Sequence, residues 1–280
     1  MSAAIPRGIS RLLVGASLPV YALLYTPLAI IAFFSFAPSF GHPHPNLAAY
    51  AVLLHDPQVL AALRRSVVLG LCSACLGTLL GTLMGFGLNR FRPAANGGFW
   101  VGTLPSLIIY LPIIMPSLVF GISEMIFFNY VHQATGLLSA GLLTMGIAHV
   151  TFQAPYVALV VYARLAGLDP NLFEASNDLY ANAVKSFLYL TVPVVRPALV
   201  GGFLLAITLS IDDFTISFFT AGPGSTTLPL YIYGAIARKG PSPEINAIGT
   251  LMIATVIGVA LLYYSVSRQR ERGAGLPAAA

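Results

Sequence analysis

The chain has 280 residues, of which 57% are hydrophobic and only 8% are charged, and its formal net charge is +5. Soluble domains carry about 25% charged residues, so this composition excludes an ordinary soluble domain and indicates a membrane protein. The basic residues lie at the ends of apolar runs and form no dense basic stripe, which argues against a nucleic-acid partner.

Six apolar stretches are long enough to cross a bilayer, which takes about 20 mostly apolar residues. They cover residues 12–37, 66–89, 101–127, 141–163, 197–220 and 245–266. Pro105, Pro112 and Pro116 interrupt the third stretch. Proline is tolerated inside a span where neighbouring helices satisfy the freed backbone groups. The sequence therefore predicts an all-α membrane protein with one transmembrane domain of six helices over residues 1–280.

Lysine and arginine predict the orientation of these spans, because cytoplasmic loops carry an excess of both residues. Six spans place both termini on the same side of the membrane. With cytoplasmic termini, the inner segments hold ten of the fourteen basic residues: Arg7, Arg11, Arg90, Arg92, Arg164, Lys185, Arg196, Arg268, Arg270 and Arg272. The outer segments hold Arg64, Arg65, Arg238 and Lys239. We therefore expect both termini in the cytoplasm.

Small residues in the second span form two patterns. Cys72 and Cys75 are the only cysteines. Their C-x-x-C spacing could indicate redox chemistry or half a metal site, but no second pair or nearby histidine completes a metal set. We interpret them as small buried helix residues. Gly77, Gly81 and Gly85 repeat every four residues, which indicates close helix packing, either within the chain or against a partner subunit.

The segment between the fourth and fifth spans is long for a cytoplasmic turn. Asp169 followed by Pro170 is typical of a helix start. Apolar or small residues then recur at helical spacing, at Phe173, Ser176, Tyr180, Ala183, Val184 and Phe187. The other face carries Glu174, Asn177, Asp178 and Lys185. This pattern predicts an amphipathic helix over residues 170–187 within a structured segment 169–190. Its polar face is more acidic than basic, which favours a protein partner over anionic lipid.

Glu174-Ala175-Ser176, followed at a distance by "LTVPVVRP", resembles the EAA loop of ABC importer permeases. The resemblance implies the type I importer permease fold, with a coupling helix that docks in a groove of a cytoplasmic ATPase. Tyr180 departs from the family pattern, because glycine is usual six residues after the glutamate. Ser176 stands where alanine is usual. We expect these two departures to modify the fit to the ATPase.

Three further stretches resemble the second permease subunit of spermidine/putrescine importers: "IAHVTFQAPYVALVVYARLAGLDP", "LSIDDFTISFFTAGPGSTTLP" and "GPSPEINAIGT". The resemblance implies a bacterial inner-membrane permease that carries no cofactor of its own. Its implied partners are a homologous permease subunit, two ATPase subunits that bind ATP and Mg²⁺, and a periplasmic or lipid-anchored solute-binding protein. Related permeases for phosphonates, opines and amino-acid derivatives leave the solute open, because some of them also carry an aspartate pair in the fifth span.

Three acids fall inside apolar spans: Glu124, Asp212 and Asp213. An ionised group at a helix centre costs about 2.5–3.5 kcal/mol on insertion scales, so such groups persist where they meet a cavity, a cation or a polar partner. Counting along the spans places these acids and His149 at a similar level toward the outer face. The sequence predicts that they line a path for a cationic solute. For the aspartates, a helix cap at a break or hydrogen bonds to a neighbouring helix are alternatives, and for His149 a packing role.

Hydroxyl side chains accompany the two aspartates on the fifth span. On a continuous helix they form two adjacent polar stripes, one of Thr208, Asp212 and Thr215 and one of Ser210, Asp213, Ser217 and Thr220. Consecutive helical residues diverge by about 100°, so the two carboxylates cannot point the same way. We therefore expect only one aspartate to face the path.

The residue after Pro116 is a further departure from the polyamine permeases, which typically place an acid at this position. Here it is Ser117, and Glu124 follows two helical turns later on the same face. Either the acid has moved along the path, or the solute is shorter or less charged than a full-length polyamine.

Sequence motifs of enzymes are absent from the chain. It has no G-x-x-x-x-G-K-[ST] loop, so it cannot hydrolyse ATP by that route, and it has no H-E-x-x-H or G-x-S-x-G motif. Adjacent helical acids diverge and make a poor catalytic pair, which argues against a membrane enzyme. A self-contained channel would not need the segment 170–187. The expected function is import of a small cation by alternating access, driven by a partner ATPase.

Overall fold

The computed structural model describes residues 7–36, 46–90, 99–169 and 171–273, and the regular elements within these ranges are all helical. The helices are α1 (Arg7–Phe36), α2 (Ala48–His55), α3 (Pro57–Arg90), α4 (Phe99–Ile114), α5 (Ser117–Thr135), α6 (Leu142–Ala166), α7 (Asn171–Asp178), α8 (Ala183–Lys185), α9 (Val192–Ile211), α10 (Thr215–Thr220), α11 (Leu228–Lys239) and α12 (Pro243–Gly273). A π-helical stretch, Ser186–Thr191, joins α8 to α9.

Four helical segments in the described part of the chain are long and apolar enough to cross a membrane, and a bent pair of helices counts as a fifth if the pair is one span. The four lie in α1, α3, α6 and the run that ends with α9. The sixth predicted span falls on α12, whose described apolar portion, Pro243–Gly258, is shorter. The total of six spans therefore stays a prediction.

The third predicted span, residues 101–127, is not one straight helix. Its two parts, Ser106–Ile114 and Ser117–Thr135, are bent by 111°. Pro116 lies in the break with an extended backbone (φ −57°, ψ 136°). Proline lacks an N–H, and its ring disfavours a helical conformation in the residue before it. The interruption predicted in this span is therefore a sharp bend at Pro116 between two helices.

The fifth predicted span, residues 197–220, is also interrupted in the structure. The membrane-spanning run extends from Ser186 to Ile211, and α10 follows only after a break at residues 212–214. Both aspartates therefore lie at a helix break rather than within a continuous helix. The contacts that stabilise this break are described in the next subsection.

The described helices form two compact units, and the first comprises residues 1–60 and 232–280. In this unit α12 packs against α1 and α2. A Cβ atom added at Gly249 of α12 would lie 3.2 Å from Cγ2 of Ile31 in α1, so the two helices approach closely. A hydrogen bond of 2.8 Å joins the hydroxyls of Ser35 and Tyr50.

In the second unit, residues 61–231, α6 is the central helix. It contributes Val157, Val161 and Leu165 to a cluster with α3 and α9, and Ala158 to a cluster with α3 and α4. A third cluster joins Ala148 of α6 to α5 and α10. Because α6 takes part in all three clusters, its side chains contact most of the elements that carry the predicted site residues.

The glycine stripe of α3 faces α6 of the same chain. A Cβ atom at Gly81 would lie 2.4 Å from the carbonyl oxygen of Ala154, and one at Gly85 would lie 2.7 Å from that of Ala158. These distances leave no room for a side chain, so glycine lets the two backbones meet. The interpretation as packing within the chain is confirmed. The alternative, that the stripe contacts a partner subunit, was wrong.

Both cysteines of α3 are free and exposed, so the expectation that they are buried was wrong. The buried side of α3 carries Ser73, Ala74 and Gly77 instead. Cys72 and Cys75 each lie about 100° around the helix from one of these positions, and their side chains therefore point away from α6.

Gly81→Ala is expected to lower the free energy of unfolding by about 1–3 kcal/mol, because the added methyl group meets a backbone carbonyl that cannot move aside. Gly87→Ala is the matched control on the same helix, since nothing lies within 4 Å of a Cβ atom there. Thermal unfolding of the purified variants in detergent tests the difference. Equal melting temperatures for the two variants would contradict this account of α3–α6 packing.

Candidate functional site

The break in the fifth span is capped by Asp213. Its Oδ1 atom accepts a hydrogen bond from the backbone N–H of Ile216 at 3.2 Å, and its Oδ2 atom accepts one from Ser217 at 2.8 Å. The first N–H groups of a helix have no partner within that helix, and a membrane offers no water to replace one. The carboxylate therefore supplies the acceptors that the first turn of α10 needs. Of the three roles that the sequence left open for Asp213, the structure supports the cap.

Asp212 has different surroundings. Asp212 follows the last residue of α9, and its backbone N–H donates to the carbonyl of Thr208 at 3.4 Å. Its side chain is exposed. The neighbouring aspartates are therefore separated by the break: one carboxylate is held inside the fold and the other is accessible.

The two predicted stripes differ in burial, although they do not lie on one helix. Ser210, Ser217 and Thr220 are buried, whereas Thr208 is exposed and its hydroxyl donates to the carbonyl of Leu204 in its own helix. The prediction that both stripes lie on one continuous helix was wrong, because α9 ends at Ile211. The division into a buried and an accessible side results from the break.

His149 of α6 contacts both sides of the break. Its Nδ1 atom lies 2.7 Å from Oγ of Ser210 in α9, and its Nε2 atom lies 3.0 Å from Oγ of Ser217 in α10. Nε2 is also 3.4 Å from Oδ2 of Asp213. The histidine is only 2% exposed, which favours the packing interpretation over contact with a solute.

The hydrogen bonds continue from Ser210 to α3 and back to α6. Oγ of Ser73 lies 3.2 Å from Oγ of Ser210, and the amide of Gln153 donates to Ser73 at 3.4 Å. Ser73 and Gln153 are both buried. We call the following six residues the break network: Ser73, His149, Gln153, Ser210, Asp213 and Ser217. Ser73 and Gln153 were not predicted as site residues. The signal that could have found them is a polar residue within an apolar span.

Glu124 and Ser117 lie outside the break network. Thr151 of α6 donates a hydrogen bond to Oε1 of Glu124 at 2.9 Å, and Glu124 is partly exposed. Ser117 is exposed at the first residue of α5. Gly121 places α5 close to α10, since a Cβ atom there would lie 3.3 Å from Cα of Ile216. Of the predicted path residues, the structure brings His149 and Asp213 together.

A cavity of about 620 Å³ lies between α5, the start of α6 and the end of α10. Its polar lining comprises Asn129, Tyr130, His132, Gln133, Ser139, Thr144 and Thr220. None of the predicted site residues is among the described residues that line it. The lining contains no carboxylate, so this cavity lacks the group that would hold a cation.

The predicted coupling helix over residues 170–187 is two shorter elements. Asp169 caps the start of α7 as expected, because its Oδ1 atom accepts a hydrogen bond from the N–H of Asn171 at 3.0 Å. Pro170 lies outside the described residues. α7 ends at Asp178, and α8 begins after Asn182, whose Oδ1 atom accepts from the N–H of Lys185 at 2.9 Å. The helix is interrupted because Tyr180 adopts a left-handed backbone conformation.

Tyr180 has φ +54°, and the N–H of the next residue, Ala181, bonds to the carbonyl of Ser176 at 3.2 Å. A bond that spans five residues with a left-handed residue inside it is the Schellman ending of a helix, in which glycine is favoured. This geometry explains why glycine is usual at this position. The tyrosine ring is 97% exposed.

The motif residues of α7 differ in exposure. Glu174 and Ala175 are exposed. The hydroxyl of Ser176 is buried and has no hydrogen-bond partner in the described part of the chain. Alanine, which is usual at the position of Ser176, would leave no such group unpaired.

Tyr180→Gly is expected to stabilise the turn after α7 by about 1 kcal/mol, because a Cβ atom is unfavourable in the left-handed region. Slower hydrogen exchange of the Ala181 amide would report the gain. Leu179→Gly is the matched control: Leu179 is 81% exposed, and its φ is not positive. Equal or faster exchange in Tyr180→Gly than in the parent chain would contradict the prediction.

Comparison with known proteins identifies the family. The family model described as "Binding-protein-dependent transport system inner membrane component" matches residues 77–272. The putrescine transport system permease protein PotI of Escherichia coli K12 is 35% identical over 259 residues, which cover 90% of each chain. The spermidine/putrescine transport system permease protein PotC of the same strain is 31% identical over 269 residues, covering 95% of this chain and 97% of PotC.

Solved structures share the fold. A chain of a bacterial ABC transporter involved in the import of the acidic polysaccharide alginate has a TM-score of 0.72 at 16% identity, covering 94% of this chain and 98% of that chain. A chain of an amino acid ABC transporter has a TM-score of 0.55 at 18% identity, covering 80% of this chain and 97% of that chain. This chain therefore belongs to the family of binding-protein-dependent transport system inner membrane components and is a permease subunit of an ABC importer.

Proposed function

We propose that this permease subunit moves a small organic cation of the polyamine class inward by alternating access. The observation that carries the proposal is the likeness to PotI and PotC over 90–95% of the chain, since both names specify putrescine. An exposed carboxylate at the break of the fifth span supplies the charge that an ammonium group needs.

Asp212 is the residue that we assign to the solute. Its side chain is exposed, whereas the Asp213 carboxylate is already bonded to two backbone N–H groups. Glu124 is a second acid for the path, because it is only partly covered and accepts one hydrogen bond, from Thr151. An ionised carboxylate accepts several hydrogen bonds, so Glu124 retains capacity for an ammonium group.

Ser117 favours a short diamine such as putrescine over a longer polyamine. It is exposed at the start of α5, where the related permeases typically carry an acid. A hydroxyl at that point offers a hydrogen bond but no negative charge. The two acids assigned to the path suit a solute with two ammonium groups.

The energy for transport comes from partner subunits in this proposal. The sequence contains no P-loop, so ATP and Mg²⁺ bind to two copies of a cytoplasmic ATPase, and this chain needs no cofactor. A second, homologous permease subunit completes the path, and a periplasmic or lipid-anchored protein delivers the solute. Both termini lie in the cytoplasm on the lysine and arginine pattern. ATP drives the cycle only if it binds the two states with different affinity.

α7 is the element that we assign to the ATPase. Glu174 and Ala175 are exposed, and the apolar side chains of Leu179 and Tyr180 beside them are 81% and 97% exposed. An exposed aromatic group on a short, capped turn is suited to a protein groove. The membrane enzyme and the self-contained channel give no role to such a surface.

Asp212→Asn is expected to raise the KM for putrescine uptake by roughly tenfold, because one charge-assisted hydrogen bond to the solute is lost. Uptake of labelled putrescine by the reconstituted importer measures this. Asp213→Asn is expected to lower thermal stability instead, since it weakens the cap of α10.

Asp56→Asn is the matched control for Asp212→Asn. It removes a carboxylate on the same predicted side of the membrane, and asparagine keeps the side-chain oxygen that accepts from Gln58. The control should retain the parent KM. Failure of the parent importer to take up any di- or polyamine would end the polyamine proposal, and phosphonates and amino acids are then the next solutes to test.

Glu174→Lys is expected to reduce ATP-driven uptake by at least about tenfold, because it reverses the charge of the surface assigned to the ATPase. Uptake and ATP hydrolysis are measured together in the reconstituted importer. Thr226→Lys adds a lysine at an exposed residue on the predicted outer side and should leave both rates unchanged. Uptake that persists without an ATPase partner would contradict the proposed coupling.

A further inference from the structure

We propose that His149 is a positioning residue of the importer, which joins the two sides of the break in the fifth span and thereby presents Asp212 to the solute. The inference rests on the proposed function of Asp212. It assigns His149 no contact with the solute, because the histidine is only 2% exposed.

The contacts of His149 are distributed on both sides of the break. Ser210, which contacts Nδ1, belongs to α9 and precedes Asp212 by two residues. Ser217, which contacts Nε2, belongs to α10 and follows the break. A single imidazole ring therefore joins the end of one helix to the beginning of the next, across the break at residues 212–214.

The break network also determines the tautomer of the ring. The carboxylate of Asp213 only accepts hydrogen bonds, so the nitrogen that faces it, Nε2, carries the proton. The neutral ring then has Nδ1 as an acceptor, and the hydroxyl of Ser210 donates to it. A ring flipped by 180° would place carbon atoms where the two nitrogens lie, so the contacts to Ser210 and Ser217 would be lost.

Ser73 and Gln153 extend this order away from the break. With the Ser210 hydroxyl donating to His149, the Ser210 oxygen is free to accept from Ser73. Ser73 in turn accepts from the amide of Gln153, which only donates from its nitrogen. His149 and Gln153 are four residues apart and lie on one face of α6. The break is therefore connected to α6 at two residues, directly at His149 and through Ser73 and Ser210 at Gln153.

Burial makes this arrangement rigid. His149, Gln153, Ser73, Ser210 and Ser217 are each 6% exposed or less, so no water replaces a bond that is lost. In such an environment connected hydrogen bonds favour one geometry, although Oε1 of Gln153 has no hydrogen-bond partner in the described part of the chain. Asp212 lies between two members of the network, Ser210 and Asp213, and its position follows from theirs although its own side chain is exposed.

Thiol labelling tests the position of residue 212 without any transport. Cys72 and Cys75 are exposed and are first replaced by serine, and Asp212→Cys then provides the single thiol. In the reconstituted full importer, the probe is a membrane-impermeant trimethylammonium methanethiosulfonate. We expect His149→Asn to slow the labelling by at least about threefold, because small displacements from a required geometry have large effects on rates. An unchanged or faster rate would overturn the proposal.

His149→Asn is chosen because the asparagine amide reaches the region of Nδ1 and falls short of Nε2. It retains a polar group near Ser210 and removes the contacts to Ser217 and Asp213. His132→Asn is the control, since His132 is an exposed histidine of α5 that bonds only within its own turn, to the carbonyl of Leu137 at 3.1 Å. This control should label at the parent rate.

Transport kinetics provide the second measurement, in the chain with native Asp212. His149→Asn should raise the KM for putrescine by roughly fivefold and leave the maximal rate within about twofold, as expected for a residue that orders the binding group. A lower maximal rate at unchanged KM would indicate a packing role only and would overturn the proposal.

Ser217→Ala keeps the inference testable if the His149 variant does not assemble, because it weakens the same connection from α10 and leaves the imidazole in place. It should raise the KM in the same direction. The double variant should have the KM of His149→Asn alone, since two changes in one connection are not additive. Additive effects would overturn the proposal.

These outcomes are distinguishable from failure of the proposed function. If the parent importer does not take up putrescine, or if Asp212→Asn leaves the KM unchanged, the assignment of solute or of Asp212 is wrong. The labelling rate at residue 212 does not depend on any solute. It therefore still decides whether His149 sets the geometry of the break.

Discussion

A break in a membrane helix requires that the freed backbone groups find partners inside the protein, because lipid offers none. In the fifth span that requirement is met by one carboxylate, Asp213, which accepts from two N–H groups of α10. His149 then joins this cap to the end of α9. Once Asp213 has this role, its neighbour Asp212 is the acid left accessible, so two adjacent identical residues have different surroundings.

The central position of α6 has the same physical basis. Its backbone meets α3 at Gly81 and Gly85, and its side chains join clusters with α3, α4, α5, α9 and α10. Without water, close packing and buried hydrogen bonds are the forces available to hold these helices together. Arg164 at the end of α6 also donates to the carbonyl of Val194 at 3.2 Å, near the start of α9. The central helix α6 is therefore bonded both to the break and to the region near the start of α9.

Much of the local structure could be predicted from the sequence. Apolar stretches identify the helices α1, α3 and α6, and the Asp169 cap identifies the start of α7. The sequence predicted a helix through position 180, whereas Tyr180 has a φ of +54° and α7 ends before it. The bend of the third span and the break of the fifth were not decided by the sequence, because a proline or an aspartate within an apolar run is compatible with either a tolerated irregularity or a break. Contacts with other helices decide between these outcomes, and the hydropathy of the stretch gives no information about those contacts.

The sequence by itself determined that the chain lies in a membrane, which residues make up the spans, and that three acids lie within them. These properties depend on residue type and on neighbours within a few turns. Only the tertiary structure decided that Asp213 is the cap, that the glycine stripe faces α6, and that both cysteines are exposed. The two serines that contact His149 are 61 and 68 residues away along the chain. Such contacts arise from the packing of α6 against α9 and α10, and no local pattern specifies which polar side chains that packing brings together.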